Sequence, residues 1–404
     1  MATNGDTVRI GIVGTGGIAS AHLKGYRTLA DAGYKGFEIA AVCDPDEGRL
    51  SAFATGVAEL FGAAPAQYRT VEEMAAQARL DAVDICTPHA FHHTTAIPCL
   101  EAGLDVMVEK PCGITLKATD LIIEAASRSG RIAAVAEQVR RGIRSRCMKW
   151  AINEAKMIGE PRLLSVTGYS HRDFAADRNS YAWQWRLLKQ LTGGGMIFDA
   201  GAHFADMMYY LFGEVDQVSA WTGTFQSVSV PSSELGTAPM DVEDSWMAIL
   251  RFRSGLVCNW AWSFSAPGES VSSQILYGSK GSARDRGGWM HTFQNGADVM
   301  FADGSRLEYE TIEQRYRDQL EAQERERLFP LGVENDMALE CFDFIDAVRQ
   351  RRPPEIDAAT TRLTKSLCLA IYESAVTGET VRVEDVTSGK ASRYQDPIND
   401  YWGI

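Results

Sequence analysis

No run of apolar residues in this 404-residue chain comes near the roughly 20 needed to cross a bilayer, so no transmembrane helix is expected. Nor is there a basic excess: 40 Lys and Arg stand against 53 Asp and Glu, a net charge of −13. A surface that acidic repels phosphate backbones and anionic headgroups, which sets aside nucleic acid and membrane as partners. CxxC pairs are absent. The eight cysteines are scattered singly, mostly in apolar stretches, the usage of reduced thiols in a cytoplasmic protein rather than of a disulfide framework. Repeats and low-complexity tracts are lacking, and MATNGDTVRI carries no basic segment ahead of its first apolar run, as a secretory leader would. What remains is ordinary globular usage, 45% apolar and 23% charged, in a chain long enough for two domains.

Residues 8–136 alternate short β-branched runs with helical patterns. The strands expected are Val8–Val13, Phe37–Cys43, Ala82–Cys86, Asp105–Glu109 and Ile132–Ala136. Between them fall helices over Ile18–Leu29, Glu47–Phe61, Val71–Gln77 (entered through a Thr70-x-x-Glu73 capping box), Thr94–Ala102 and Thr115–Ser129. That alternation predicts an α/β Rossmann domain, a doubly wound parallel sheet, over 1–138. After Gln138 a helix is expected over Ile143–Ile158. Strands follow at Leu163–Tyr169, Val215–Trp221, Trp246–Phe252, Leu256–Phe264 and Ser272–Tyr277 with few helices between. Residues 139–404 therefore read as an α+β domain with an open, mostly antiparallel sheet. Arg172–Thr192 reads as a long loop, and a helical stretch follows Gly193-Gly194-Gly195 to Leu211. Ser227–Asp241 reads as an exposed connection and Glu308–Arg327 as a charge-dense solvated helix. Two late helices, Asn335–Arg349 and Ala358–Val376, complete the pattern.

The first strand runs into Gly14-Thr15-Gly16-Gly17-Ile18-Ala19, a G-x-G-x-x-A dinucleotide fingerprint. Gly14 permits a sharp turn, Gly16 lets backbone approach a pyrophosphate, small Ala19 lets helix pack on strand, and the helix N-terminus favours the phosphates. Gly14, Gly16, Gly17 and Ile18 are thus candidate cofactor contacts. Asp44, ending the second strand, suits the ribose hydroxyls of NAD and would repel the 2′-phosphate of NADP. With no arginine between it and Arg49, NAD is favoured over NADP.

Two more strand ends carry chemistry. Cys86-Thr87-Pro88-His89 and Glu109-Lys110-Pro111 sit where doubly wound sheets bind ligands, so Thr87, Pro88, Glu109 and Lys110 point to the nicotinamide side. Lys110 there suits proton transfer or hydrogen bonding to a substrate oxygen. Further on, Asp199 and His203 stand four apart, so on a helix they share one face. An aspartate so placed orients an imidazole and raises its basicity. The triple glycine before them reads as a flexible backbone approach to a ligand. His89, His92 and His93 have neither carboxylate nor cysteine at ligand spacing, so no metal site is expected.

In these motifs the chain resembles the glucose–fructose oxidoreductase and inositol dehydrogenase family (Gfo/Idh/MocA). The resemblance rests on Gly14–Ala19, Thr87-Pro88-x-x-x-His92, Glu109-Lys110-Pro111, Ile158-Gly159-Glu160-Pro161 and Gly193-Gly194-Gly195 leading to Asp199-x-x-x-His203-x-x-Asp206. It implies that Lys110, Asp199 and His203 form the catalytic group and that His92 lies near the nicotinamide edge. It also implies that the substrate lies between the nicotinamide and the second sheet, and that the late helices pack near the first domain. His89 and Cys112 depart from the residues frequent in the family. The chemistry expected is reversible hydride transfer between NAD and a secondary alcohol of a sugar, sugar derivative or cyclitol. His203 takes the proton and Lys110 stabilises the oxygen, or the two exchange roles. Candidate substrate positioners are Arg141, Tyr169, His171, Trp185 and Arg186, with Arg140 beside them. Two alternatives stay open: an enzyme that cleaves glycosides by transient oxidation with bound NAD, and a non-catalytic NAD-dependent sensor. An exposed sheet face is costly unless covered, so a homodimer or homotetramer is expected.

Overall fold

The computed structural model describes residues 7–287 and 289–404, so most of the opening segment read above for a leader lies outside the described residues. The chain divides into two compact units. One comprises residues up to 138 together with 323–362, and the other residues 139–322 together with 363–404.

The first unit is built on six parallel strands: β1 (Val8–Val13), β2 (Phe37–Cys43), β3 (Ala66–Tyr68), β4 (Ala82–Ile85), β5 (Asp105–Glu109) and β6 (Ala133–Ala136). Their order is β3-β2-β1-β4-β5-β6. β4, β5 and β6 are buried at every position, which is why they read as continuous apolar runs rather than alternating ones. The crossover helices are α1 (Gly17–Asp31), α2 (Glu47–Phe61), α3 (Val71–Gln77), α4 (His92–Glu101) and α5 (Leu116–Ser129). Asp46, Thr70 and Thr115 cap α2, α3 and α5 by accepting the backbone N–H three residues on, as short polar side chains at N-caps do. Strand order reverses between β1 and β4, and the crevice of such a sheet opens at the carboxyl ends there.

This unit is completed from far along the chain. Helix Asp336–Gln350 lies against α1, and its Ala338, Cys341, Phe344 and Ile345 share one buried cluster with Ile10, Leu23 and Tyr26. The Ile356 carbonyl accepts from Val135 N–H at 3.0 Å, and Asp357 bridges Ala134 beyond β6.

The second unit holds a nine-stranded sheet. Its helices and strands begin with α6 (Ile143–Lys149) and β7 (Pro161–Tyr169), then the short helices α7 (Phe174–Asp177), α8 (Tyr181–Gln184) and α9 (Lys189–Thr192), and α10 (Gly201–Phe212). Strands β8 (Val215–Gly223), β9 (Ser229–Ser232), β10 (Gly236–Pro239), β11 (Ser245–Phe252), β12 (Val257–Ser263), β13 (Val271–Gly278), β14 (Gly281–Asp285), β15 (Ala297–Phe301) and β16 (Arg306–Leu307) follow. Helix α11 (Tyr309–Gln319) closes this stretch. In chain order α12 (Ala322–Leu328) and α13 (the Asp336–Gln350 helix) then fall almost wholly in the first unit, α14 (Ala358–Thr377) passes the boundary at residue 362, and β17 (Val381–Arg382), α15 (Val383–Thr387) and α16 (Asp396–Trp402) belong to the second. The sheet order is β16-β15-β14-β13-β7-β12-β11-β8-β17, antiparallel except where β7 meets β12. One face carries Trp246 and Trp260 into the core, where Phe204 of α10 stacks on Trp260 at 4.0 Å between centroids. The other presents Leu163, Trp221, Met247, Ile249, Val271 and Tyr277 exposed.

The sequence expectations differ from this at several places. The helix from Ile143 ends in a π turn at Trp150–Glu154, short of Ile158, because Lys156 and Gly159 take positive φ values of 47° and 73°. The supposed loop Arg172–Thr192 contains α7, α8 and α9, and Ser227–Asp241 folds as the hairpin β9–β10. Glu308–Arg327 breaks at Leu320 into two helices. The first buries Tyr309, Ile312 and Tyr316 and carries the i,i+4 pair Glu313–Arg317 at 2.7 Å.

Candidate functional site

In the first unit the fingerprint turn follows β1 directly. Gly14 has φ +84°, and a Cβ there would sit 2.7 Å from the Cys86 carbonyl, so the β1 and β4 exits meet over a glycine. Gly16 and Gly17, by contrast, face open space, and Gly16, at the N-cap of α1, offers no side-chain cap. Uncapped amides beside open space are what a pyrophosphate needs. At the β4 exit the Thr87 hydroxyl is buried yet meets no hydrogen-bond partner among the described residues, an arrangement that fits a polar ligand group. The residues present therefore fit a dinucleotide.

Asp44 is more engaged than its sequence position suggests. Oδ2 accepts from Thr15 N–H (2.9 Å) and Thr15 Oγ1 (3.0 Å), while Oδ1 accepts from Asp46 N–H (2.9 Å) and Arg49 (3.2 Å). Arg49, the first arginine after Asp44 in the sequence, thus pairs with that carboxylate.

His92 ties the two other strand exits together: Nε2 faces the Thr87 carbonyl at 2.8 Å and Nδ1 the Pro111 carbonyl at 3.0 Å. Pro88 leads into the short 3-10 turn His89–Phe91, and Lys110, half-buried, precedes Pro111 across a cis peptide. Glu109, read as a cofactor contact, instead turns its carboxylate into the core. There His22, fully buried on α1, donates Nε2–H to Glu109 at 3.0 Å and Nδ1–H to Asp84 at 2.9 Å, and lies 3.8 Å from Glu340. Tyr26 also donates to Asp84, at 3.1 Å. Burial lowers the His22 pKa, but the charge of Asp84, contributions from Cys86 and hydrogen bonds to both outweigh it and hold the imidazole well above its ordinary value. His22, Asp84 and Cys86 bring ligand-type atoms within 4.8 Å of one another, yet both His22 nitrogens are taken by carboxylates. This cluster escaped sequence reading because Asp84 and Glu109 lie 62 and 87 positions from His22, and only the fold joins them.

In the second unit Asp199 lies in the turns ahead of α10 rather than on a helix, and His203 lies in the first turn of α10. The Gly195 carbonyl accepts from both Phe198 and Asp199 N–H at 3.0 Å. Asp199 Oδ2 accepts from Arg186 Nε at 2.8 Å, and the His203 ring meets His291 edge-on at 4.5 Å between centroids. His291 carried no signal in the sequence. Asp206 pairs with Arg140 at 2.9 Å, both side chains largely buried, so Arg140 is committed to α10.

A cavity of about 220 Å³ opens beside Asp199, walled by Phe174, Trp183, Phe264 and Trp289, with Arg172, Arg186 and Met196. Of the substrate positioners expected, only Arg186 lines it. Arg141 is buried. Tyr169 ends β7, and exposed His171 bridges Ser265 just beyond. Trp185 lies under the Arg186 guanidinium at 4.1 Å. Trp183, not Trp185, faces the cavity, because the helical turn of α8 running on into a 3-10 turn sets the two indoles on different sides.

The triple glycine has a different purpose from the one expected. A Cβ on Gly194 would lie 2.5 Å from the Tyr372 hydroxyl, and one on Gly195 2.7 Å from the Glu243 carboxyl. These glycines admit protein side chains, and Gly195 also lines a small cavity with Asp199 and Arg186.

Comparison with known proteins agrees with both halves. Residues 8–137 match the oxidoreductase family, NAD-binding Rossmann fold, and residues 150–284 match the GFO/IDH/MocA C-terminal domain. The D-glucoside 3-dehydrogenase of Escherichia coli (strain K12) is 25% identical over 390 residues, covering 95% of this chain and 99% of that protein. The levoglucosan dehydrogenase of Pseudarthrobacter phenanthrenivorans is 34% identical over 187 residues, 43% of this chain and 47% of that one. Among solved structures, the WlbA dehydrogenase from Bordetella pertussis in complex with NADH and UDP-GlcNAcA shares the fold. Its TM-score is 0.72 at 23% identity, over 94% of this chain and 99% of that one.

Proposed function

This chain belongs to the Gfo/Idh/MocA oxidoreductase family, and from that premise we propose that it is an NAD-dependent dehydrogenase acting on a secondary hydroxyl of a sugar, sugar derivative or cyclitol. The observation that carries the substrate class is the aromatic-walled cavity in which Asp199 and Arg186 are the paired polar groups. Indole and phenyl faces suit the C–H face of a pyranose or cyclitol ring, and an ion pair at the rim orients its hydroxyls.

When bound, NAD supplies the acceptor, or in reverse the donor, of hydride. Gly14, Gly16, Gly17 and Ile18 would hold the phosphates at the N-terminus of α1, Asp44 would receive the ribose, and Thr87 would offer its hydroxyl. His203 takes the hydroxyl proton of the alcohol. Lys110 supplies a hydrogen bond that stabilises developing alkoxide charge. Asp199, itself held by Arg186, fixes the turn from which His203 projects. The exposed apolar face of the nine-stranded sheet supports assembly as a homodimer or homotetramer. The eight cysteines, all free and buried, suit a reducing cytoplasm.

The test is reduced-cofactor absorbance over a panel of cyclitols, aldoses, glycosides and sugar acids, with NAD and with NADP. On the best substrate, Lys110→Ala is expected to lose roughly 10²–10³ in kcat and His203→Ala roughly 10²–10⁴. Full kcat in either variant would remove that residue from the chemistry. Product formed without net NADH would point instead to an oxidation–elimination cycle.

A further inference from the structure

Two aromatic residues from late in the chain, buried Tyr372 and half-buried Tyr394, and one carboxylate close on the Gly193–Gly195 segment. Glu243 Oε2 accepts from Gly195 N–H at 3.0 Å and Oε1 from Ile197 N–H at 2.9 Å. The Tyr372 hydroxyl donates to the same carboxylate at 3.0 Å. Tyr372 stacks on Tyr394, 4.3 Å between centroids and 6° from parallel, and the Tyr394 hydroxyl donates to the Gly193 carbonyl at 3.1 Å. Only glycine fits at 194 and 195, since any Cβ there would collide with Tyr372 or Glu243. Gly195 in turn accepts from Asp199 N–H. Two hydrogen bonds therefore connect the Glu243 carboxylate to the Asp199 backbone.

We propose that Glu243, braced by Tyr372 and Tyr394, is a positioning residue that holds the Gly193–Ile197 turn and so sets the placement of Asp199 and His203. This rests on the reading of Asp199 and His203 as reacting groups. An ionised carboxylate is purely an acceptor, and all three of these partners approach it as donors. Protonation adds an O–H, toward which the Tyr372 hydroxyl can turn from donor to acceptor, while the two backbone N–H groups lose their charged acceptor, so their hydrogen bonds weaken and the turn slackens. Burial pushes the Glu243 carboxyl up to about 7, against the hydrogen bonds from Ile197, Tyr372 and Gly195. The charged and titratable groups around it are few. Arg186 and Asp199 line the same small cavity, and Asp241 caps Lys189 N–H at 2.6 Å. The Lys189 ammonium sits 5.5 Å over the Tyr394 ring.

The experiment is hydrogen–deuterium exchange of the peptide spanning residues 193–203, corrected for intrinsic rates, on the full chain between pH 6 and pH 8. Wild type is expected to lose roughly tenfold in protection as the pH falls through about 7. Glu243→Gln, isosteric but with an NH₂ where an acceptor stood, is expected to be poorly protected at both pH values. Tyr372→Phe should show a smaller loss with the pH dependence kept. On the best substrate of the panel, Glu243→Gln should lower kcat about tenfold with the KM for NAD unchanged. Wild-type protection in Glu243→Gln at pH 8, or exchange raised equally across the whole unit, would overturn the inference. His203→Asn separates it from the functional reading. Its peptide should exchange like wild type, and full activity in that variant would sink the chemistry while leaving the Glu243 latch standing.

Discussion

His22 is the side chain whose removal should be felt most. It is fully buried, with Nδ1 shared between both Asp84 oxygens and Nε2 on Glu109, while Glu340 lies 3.8 Å away. His22→Phe fills the space but leaves buried carboxylates without the cation between them. Each charge-assisted hydrogen bond contributes about 1.5–3 kcal/mol, and breaking a buried ion pair from one side costs about 3–5 kcal/mol, so a loss of about 4 kcal/mol is expected. Unfolding entropy is about 2.1 cal/mol/K per residue. That gives a Tm drop of about 10 °C if the first unit of about 180 residues melts alone, and about 5 °C if the whole chain melts together. Differential scanning calorimetry at pH 7.5 reads it, and a drop under 2 °C would refute the reasoning. A second variant isolates the cause. Adding Asp84→Asn to His22→Phe should recover stability, because the damage is stranded charge; a further loss would mean lost packing instead. The sign with pH follows from the raised His22 pKa. A group held above its unfolded value of 6.5 contributes fully below that pH and loses its contribution as the pH climbs through the raised value. ¹⁵N-histidine spectra followed upward in pH should therefore show both His22 ring nitrogens still protonated where an ordinary imidazole has already lost its proton.

Asp44→Ser removes the charge that disfavours a 2′-phosphate and frees Arg49, 3.2 Å away, so the ratio of kcat/KM for NADP over NAD should rise at least tenfold, given about 1.5–3 kcal/mol per charge-assisted hydrogen bond; an unchanged ratio would take Asp44 out of cofactor selection. Met247→Lys with Ile249→Lys, both on the exposed sheet face, should shift the mass by light scattering at micromolar concentration to that of one chain while leaving the fold intact. A wild type already monomeric would contradict the proposed assembly. Gly194→Ala places a methyl 2.5 Å from the Tyr372 hydroxyl and should cost about 1–3 kcal/mol, as overpacking does, with kcat falling alongside; a neutral result would show that the turn yields.

The parallel sheet was legible because its strands are short, buried and punctuated by caps such as Thr70 and Thr115, all local signals. β3, at the sheet edge, was missed: three residues with exposed Ala66 and Gln67 give no pattern to read. β16 and β17, two residues each, were missed for the same reason. The cofactor turn could be read because its chemistry is contiguous in sequence. The second unit's site was harder. Asp199 and His203 were found by their spacing, but Trp183, Trp289, His291 and Glu243 come from separate elements brought together by the sheet. The misreading of Gly194 and Gly195 follows from the same limit. A glycine announces that something comes close without saying what, and here it is Tyr372 and Glu243 from 48 or more residues away.

The helix laid against α1 is made some two hundred residues after the sheet it completes. At roughly 5–20 residues per second, a ribosome needs on the order of 10–40 s to deliver it. For that interval the nascent nucleotide-binding half stands with Leu23 and Tyr26 uncovered and with His22 lacking its third carboxylate neighbour. Emerging polypeptide in that window is a natural client for a holdase, and a translational pause placed shortly before codon 336 would lengthen the exposure.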